Sequence, residues 1–511
     1  MRRMLLLLLP LLFSAATLAM PKVEFRNINP GDQQQLVLLV SDITQLRGSA
    51  AQVDKLTEGR LSAAIKASGL KNEFGQSRTF YGLTPFAQIT LVAATDKTLS
   101  QAELQQLGGY AVTSFPANSE QPIAVFSDDV TTELPAQEAY IAMGASMRDY
   151  HFDIYKKAGA KTSPRWLIMH ATDSVAAALY ENDLRYVVDG IYLARDLASE
   201  PGKTIYPQTF VERVTAKFAG LKNVNIKVLG VKEMQKHNMG ALLGVGLGSV
   251  HEPKLLVIEY TGTSKNSAPI ALVGKGITFD TGGISIKPND GMWAMKSDLS
   301  GAAAVAGTLL AVASRGEKVN LVGLMPLAEN MPAGDAIRPG DVLTTMQGTT
   351  IEIISTDAEG RLILADAVHY AQHQFKPAML LNIATLTGSA ARALSDEYAA
   401  LVTRDWDLSV KMMSVGKVSG EEVWPLPLHP NHFKQIKSEI ADIKNSGAGD
   451  PGASIGAAVV ATFVDEQLPW VHLDIAGVDW LNADTAVAPK GSHGWGVRFM
   501  DQLVRQQAKQ P

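Results

Sequence analysis

From Thr204 onward the chain alternates helix-length and strand-length segments, and this alternation restricts the fold more than any other feature. The pattern predicts a helix over residues 207–219, a strand over 224–228, a helix over 231–237, and strands over 254–260 and 270–273. Strand, helix and strand in this order favour a largely parallel sheet covered on both faces by helices. Such open sheets place ligand sites beyond the ends of their strands. Two polar segments follow apolar strands in this way, residues 274–301 and 355–361. Further upstream, apolar runs at 36–40, 89–92 and 123–126, with a helical stretch at 51–67, predict a second α/β domain. At 511 residues the chain is long enough for two domains of ordinary size. The expected division is 1–19 as a leader, 20–173 as an N-terminal α/β domain, 174–200 as a linking helix, and 201–511 as the domain carrying the chemistry.

The leader is read from Arg2 and Arg3, the apolar run from Met4 to Phe13, and the small-residue step Thr17-Leu18-Ala19. That order matches a signal peptide with an A-x-A-like cleavage site. About ten apolar residues fall short of the ~20 needed to span a bilayer, so no membrane anchor is expected after cleavage. The expected location is a periplasm or the exterior. The chain has no cysteine, so an exported form is held together without disulfides. Loss of Arg2 and Arg3 takes the formal charge from −5 to −7, which argues against a nucleic-acid partner.

The chemistry-bearing residues crowd into the two polar segments. The first reads V-G-K-G-I-T-F-D-T-G-G-I-S-I-K-P from Val273 and M-K-S-D-L-S-G from Met295; the second reads S-T-D-A-E-G-R-L from Ser355. The glycines match neither a P-loop nor a G-x-G-x-x-G opening a helix. Asp280, Asp298, Asp357 and Glu359 supply four carboxylates, accompanied by Lys275, Lys287 and Arg361. An acid-rich set of this kind can hold two hard or borderline divalent ions, and a buried lysine beside metal can serve as a neutral amine ligand. His369 and His373 have the spacing of a zincin pair but lack the glutamate of H-E-x-x-H, so they read as a satisfied or solvent-facing pair. No histidine is assigned to a metal.

These motifs resemble those of the leucyl aminopeptidase family, the dimetal cytosol aminopeptidases. The resemblance continues through A-T-L-T-G from Ala384, A-D-I-K-N-S-G from Ala441, H-L-D-I-A-G from His472 and G-W-G-V-R from Gly494, covering roughly residues 189–503. It implies that Lys275, Asp280, Asp298 and Glu359 hold a tighter metal, and that Asp280, Asp357 and Glu359 hold a more exchangeable one. Zinc or manganese is implied, with magnesium or cobalt as alternatives at the exchangeable site. Lys287 resembles the family's catalytic lysine and Arg361 the arginine that holds bicarbonate. Met295, Thr385, Leu386 and Gly388 resemble residues lining the substrate cleft. The implied activity is removal of leucine and other, mainly apolar, N-terminal residues from short peptides with a free N-terminus. The implied fold is a macro-like N-terminal α/β domain plus a catalytic α/β domain, and the implied assembly is a homohexamer. A DNA-associated role and a catalytically decayed member of the same family are the alternative readings.

Overall fold

A computed structural model describes residues 20–116, 121–157, 162–447 and 452–509. The expected leader over 1–19 lies outside them. Two sheets organise the chain. The first has six strands in the order Lys22–Arg26, Trp166–His170, Ile123–Asp129, Gln35–Val40, Gln88–Ala93 and Ser77–Tyr81. All its pairings are parallel except the last, where Ser77–Tyr81 runs against Gln88–Ala93. The central strands are buried along their length, Leu36, Val37, Ile89 and Leu91 being fully enclosed. That explains why they read as continuous apolar runs rather than alternating ones. The helical stretch expected over 51–67 is two helices, Gly48–Leu56 and Arg60–Ser68, because Glu58 and Gly59 take positive φ between them.

The second sheet is the frame of the C-terminal domain. Its central strands Asn320–Asn330, Ile270–Gly274, Met379–Ala384 and Trp470–Asp474 are mutually parallel. Antiparallel strands Lys254–Thr261 and Val224–Leu229 close one edge. On the other edge Ala399–Val402 runs against Trp470–Asp474. Helix Ser300–Arg315 packs on one face and helix Gly360–Phe375 on the other, each with a strongly apolar buried surface. The result is an α/β architecture with a mostly parallel central sheet, as the alternation implies.

Between the sheets, Val175–Leu179, a π-turn at Tyr180–Leu184 and Arg185–Ser199 form one helical run. Its Gly190 meets Gly307 of helix Ser300–Arg315 so closely that a Cβ on either would strike the other's carbonyl oxygen at 2.3 Å. Residues 185–199 therefore belong to the packed interior of the catalytic half. Arg195, fully buried on this run, donates to the carbonyls of Met147, Val487 and His493, tying the two halves together.

His493 is half-buried, and desolvation reinforced by the charges of Arg498 and Arg195 pulls its pKa down to about 3. A histidine kept neutral in the fold contributes stability above its unfolded pKa near 6.5 and loses it as pH falls toward 3. Because glutamine does not titrate, the stability of His493→Gln relative to wild type should be constant above pH 6.5 and rise by about 1.4 kcal/mol per unit below it. Urea midpoints of both proteins across pH 5 to 8 check this, and parallel curves would refute it.

Candidate metal centre

Four of the five sequence-predicted ligands sit at or next to a strand end or a helix start, and Asp357 lies in the turn before a helix. Lys275 follows strand Ile270–Gly274 and Asp280 closes strand Gly276–Asp280. Asp298 caps the two-turn 3-10 segment Met292–Ser297, just before helix Ser300–Arg315. Glu359 is the N-cap of helix Gly360–Phe375, and Arg361 lies in that helix's first turn. Residues 355–359 form a turn rather than the extended chain their two-residue spacing suggests, so Asp357 and Glu359 converge through a bend.

Lys275 Nζ lies 2.8 Å from Asp298 Oδ1 and 2.9 Å from Glu359 Oε1, and donates to the Thr385 carbonyl at 2.8 Å. Lys287 Nζ lies 2.9 Å from Asp280 Oδ2 and 2.5 Å from Asp357 Oδ1. Burial pulls Lys275 toward its neutral form, but Asp298, Glu359 and Asp280 outweigh it and hold its pKa above the usual lysine range. Burial and the Glu359 charge push Asp280 up to about 6, against the pull of Lys287 and Lys275. Asp298 is raised further, chiefly by burial. Burial opposes ionisation of Glu359 too, yet the two lysines hold it below the ordinary range.

The donor set fits divalent cations. Oxygens of Asp280, Asp357 and Glu359 lie within 4.8 Å of one another. Asp298 Oδ2 and Glu359 Oε2 are buried with no hydrogen-bond partner, which is costly for a carboxylate unless a cation meets it. Four carboxylates against two lysines also leave the cluster with excess negative charge. Arg361 is buried; its Nη1 donates to the Asn445 carbonyl at 2.8 Å while its Nε has no partner. A small anion suits that free donor.

Backbone geometry makes room for these groups. A Cβ on Gly360 would lie 2.6 Å from Lys275 Cε, so the lysine can pass only over a glycine. Gly282 takes φ +86°, and the loop it turns is fastened to the 355–357 turn by Thr356 Oγ1, which donates to the Gly282 carbonyl at 2.6 Å. Thr385 Oγ1 donates to Asp298 Oδ1 at 2.6 Å. The N–H groups of Leu386 and Thr387 donate to Asp474 Oδ1, fixing the strand end that leads to Gly388. Gly388 begins helix Gly388–Leu394 with open space around it, a Cβ meeting nothing nearer than Arg392 Nη1 at 3.4 Å. Met295 is half-buried three residues before Asp298.

Sequence reasoning missed three supports. Asn330 Nδ2 donates to Asp280 Oδ1 at 2.8 Å and to the Thr356 carbonyl at 3.1 Å, joining one carboxylate to the turn that carries two others. Asn445 holds the same turn from behind through Ile354 N and the Ser355 carbonyl. Asp474 is the third. Asn330 and Asp474 each end a fully buried strand, and a polar residue closing such an apolar run is the signal that could have found them.

A carboxylate and lysine cluster at the strand ends of a doubly covered α/β sheet defines a metal-dependent hydrolase. Residues 192–500 match the catalytic domain of the cytosol aminopeptidase family, and residues 37–159 match its N-terminal domain. The chain is 37% identical over 503 residues to a probable cytosol aminopeptidase of Rickettsia bellii (strain OSU 85-389), covering 96% of this chain and 99% of the relative. A probable cytosol aminopeptidase of Rickettsia peacockii (strain Rustic) is 36% identical, covering 95% and 100%. Among solved structures, a lysine-to-glutamate mutant of tomato leucine aminopeptidase superposes with a TM-score of 0.84 at 27% identity, covering 96% of this chain and 97% of that one. The bottromycin maturation enzyme BotP in complex with Mn superposes at 0.81 with 28% identity, covering 93% and 100%. The chain belongs to the cytosol aminopeptidase family and is a metallo-aminopeptidase.

Proposed function

We propose that the protein is an exported two-metal aminopeptidase that removes leucine and other, mainly apolar, N-terminal residues from short peptides. The observation that carries this reading is the convergence of Lys275, Asp280, Asp298, Asp357 and Glu359 with two buried carboxylate oxygens that have no partner. Lys275, Asp280, Asp298 and Glu359 would hold one ion, and Asp280, Asp357 and Glu359 the other, with zinc or manganese as the candidate metals. When bound, such a pair lowers the pKa of water and polarises a carbonyl, and bicarbonate at Arg361 supplies a proton acceptor.

The chain's own groups do the remaining work. Lys275 acts as a ligand once its proton is released, which neutralisation of the surrounding carboxylates favours. Lys287, the less buried of the two lysines, reaches toward the cleft and stabilises negative charge developing on the scissile carbonyl oxygen. Arg361 holds its anion through the free Nε and is itself fixed by the Asn445 carbonyl. Main-chain groups of Thr385, Leu386 and Gly388 align the peptide, and Met295 contributes an apolar wall for the departing side chain.

Export rests on the leader-like residues 1–19, and a homohexamer on the resemblance alone; N-terminal sequencing of secreted protein and sedimentation of the mature chain test them. The chemistry has a direct test. Chelation is expected to abolish release of leucine from an unblocked leucine amide, with manganese or zinc restoring it and an N-acetylated substrate staying intact. Undiminished turnover after exhaustive chelation, verified by metal analysis, would sink the reading.

A further inference from the structure

The helix whose N-cap is Glu359 carries a second cluster of metal-ligating side chains at its other end. His369 and His373 lie one turn apart near the C-terminus of Gly360–Phe375, and their ring centroids are 4.2 Å apart. Eight residues separate Arg361 from His369 and twelve from His373, which at 1.5 Å per residue places the pair about 12–18 Å along the helix from the catalytic cluster. His369 is half-buried, and its Nδ1 is buried with no hydrogen-bond partner. A neighbouring segment brings in a carboxylate. Gln372 Oε1 accepts the backbone N–H of Asp465 at 2.9 Å, which holds exposed Asp465 near enough to His369 for its charge to act on that imidazole.

We propose that His369 and His373, completed by the Asp465 carboxylate, form a separate binding site for a borderline divalent transition-metal ion such as Zn2+, Cu2+ or Ni2+. Two histidines at i and i+4 on one helix face are a standard pair of nitrogen donors, and a carboxylate with solvent completes the coordination. Asp465 reaches the ion by a side-chain rotation that its exposed position allows. The His369 imidazole is free to ligate near neutral pH, since burial and the neighbouring His373 pull its pKa down to about 4. A cation there also faces the negative end of the helix dipole. Arg404 opposes it, donating to the Asp465 carbonyl at 3.4 Å and adding positive charge nearby, which favours an ion with strong affinity for imidazole over a hard one. The other close pair, His429 and His432, is less suited. Its rings are 6.1 Å apart, and both Nδ1 atoms already accept backbone N–H groups.

The probe is Cu2+ added to the full, untagged, metal-loaded enzyme, read by electron paramagnetic resonance and by retention on a copper-chelate column. Wild type is expected to give a signal with two-nitrogen hyperfine structure and to be retained. His369→Ala and His373→Ala each abolish the signal and the retention, Asp465→Asn weakens both, and His429→Ala changes neither. Peptidase activity and melting temperature of the His373→Ala protein stay at the wild-type level, which separates a lost site from a lost fold. A two-nitrogen signal that persists in both His369→Ala and His373→Ala, or one that disappears in His429→Ala, would overturn the proposal.

Discussion

Replacing Glu359 by alanine is expected to lower kcat/KM for an unblocked leucine amide by about a thousandfold or more, and to reduce bound metal at both positions together. Glu359 stands between the two halves of the cluster. Its Oε1 lies 2.9 Å from Lys275 Nζ, its oxygens belong to the same compact group as those of Asp280 and Asp357, and its Oε2 has no protein partner. On the proposed ligand assignment, removal of the carboxylate common to both positions acts on both ions, whereas Asp357→Ala should act mainly on one. A thousandfold loss corresponds to about 4 kcal/mol of transition-state stabilisation, a size reached when metal activation of water and carbonyl fails together. Metal content by mass spectrometry, beside kinetics and a thermal melt, checks the prediction. Full activity at saturating metal would count against Glu359 as a ligand. So would loss of one metal with the other retained at wild-type affinity.

The parts of this site legible in the sequence share a physical reason. Lys275, Asp280, Asp298, Asp357 and Glu359 are charged residues set among glycines and apolar residues, where a charge has no local use. Burial of such groups is costly without partners, so their density at strand ends already implied mutual compensation or cations. The strand and helix alternation was legible because fully buried parallel strands read as unbroken apolar runs. Asn330, Asn445 and Asp474 were not legible in this way. Each acts through partners far away in sequence, Asn330 on Asp280 and Thr356, Asn445 on residues 354–355, Asp474 on residues 386–387. An amide or carboxylate that satisfies backbone groups across such separations looks, in one dimension, like any polar residue at the end of a strand. The break at Glu58 and Gly59 escaped for the opposite reason, since the apolar spacing on either side continues past it.

The second large effect concerns a residue with no functional group. Gly360→Ala is expected to reduce kcat/KM by about a hundredfold while leaving the chain folded. Helix propensity alone predicts a gain, because alanine is about 1 kcal/mol better than glycine within a helix. The position opposes that gain, since the new Cβ would lie 2.6 Å from Lys275 Cε, 2.8 Å from Cδ and 2.9 Å from Nζ. The backbone of Gly360 is held by its helix, so the lysine is the part that must move. It is held on its other sides by Asp298, Glu359 and the Thr385 carbonyl, and any shift of Nζ disturbs all three. Misplacement of a positioned group by about 1 Å commonly costs a hundredfold in rate, whereas modest overpacking costs about 1–3 kcal/mol of stability. A double-mutant cycle separates the two readings. If the effect runs through Lys275, adding Gly360→Ala to a Lys275→Ala protein costs little further activity. If the two losses multiply in full, the glycine acts through the helix or the turn instead, and the close approach of Lys275 to Gly360 is not what demands glycine there.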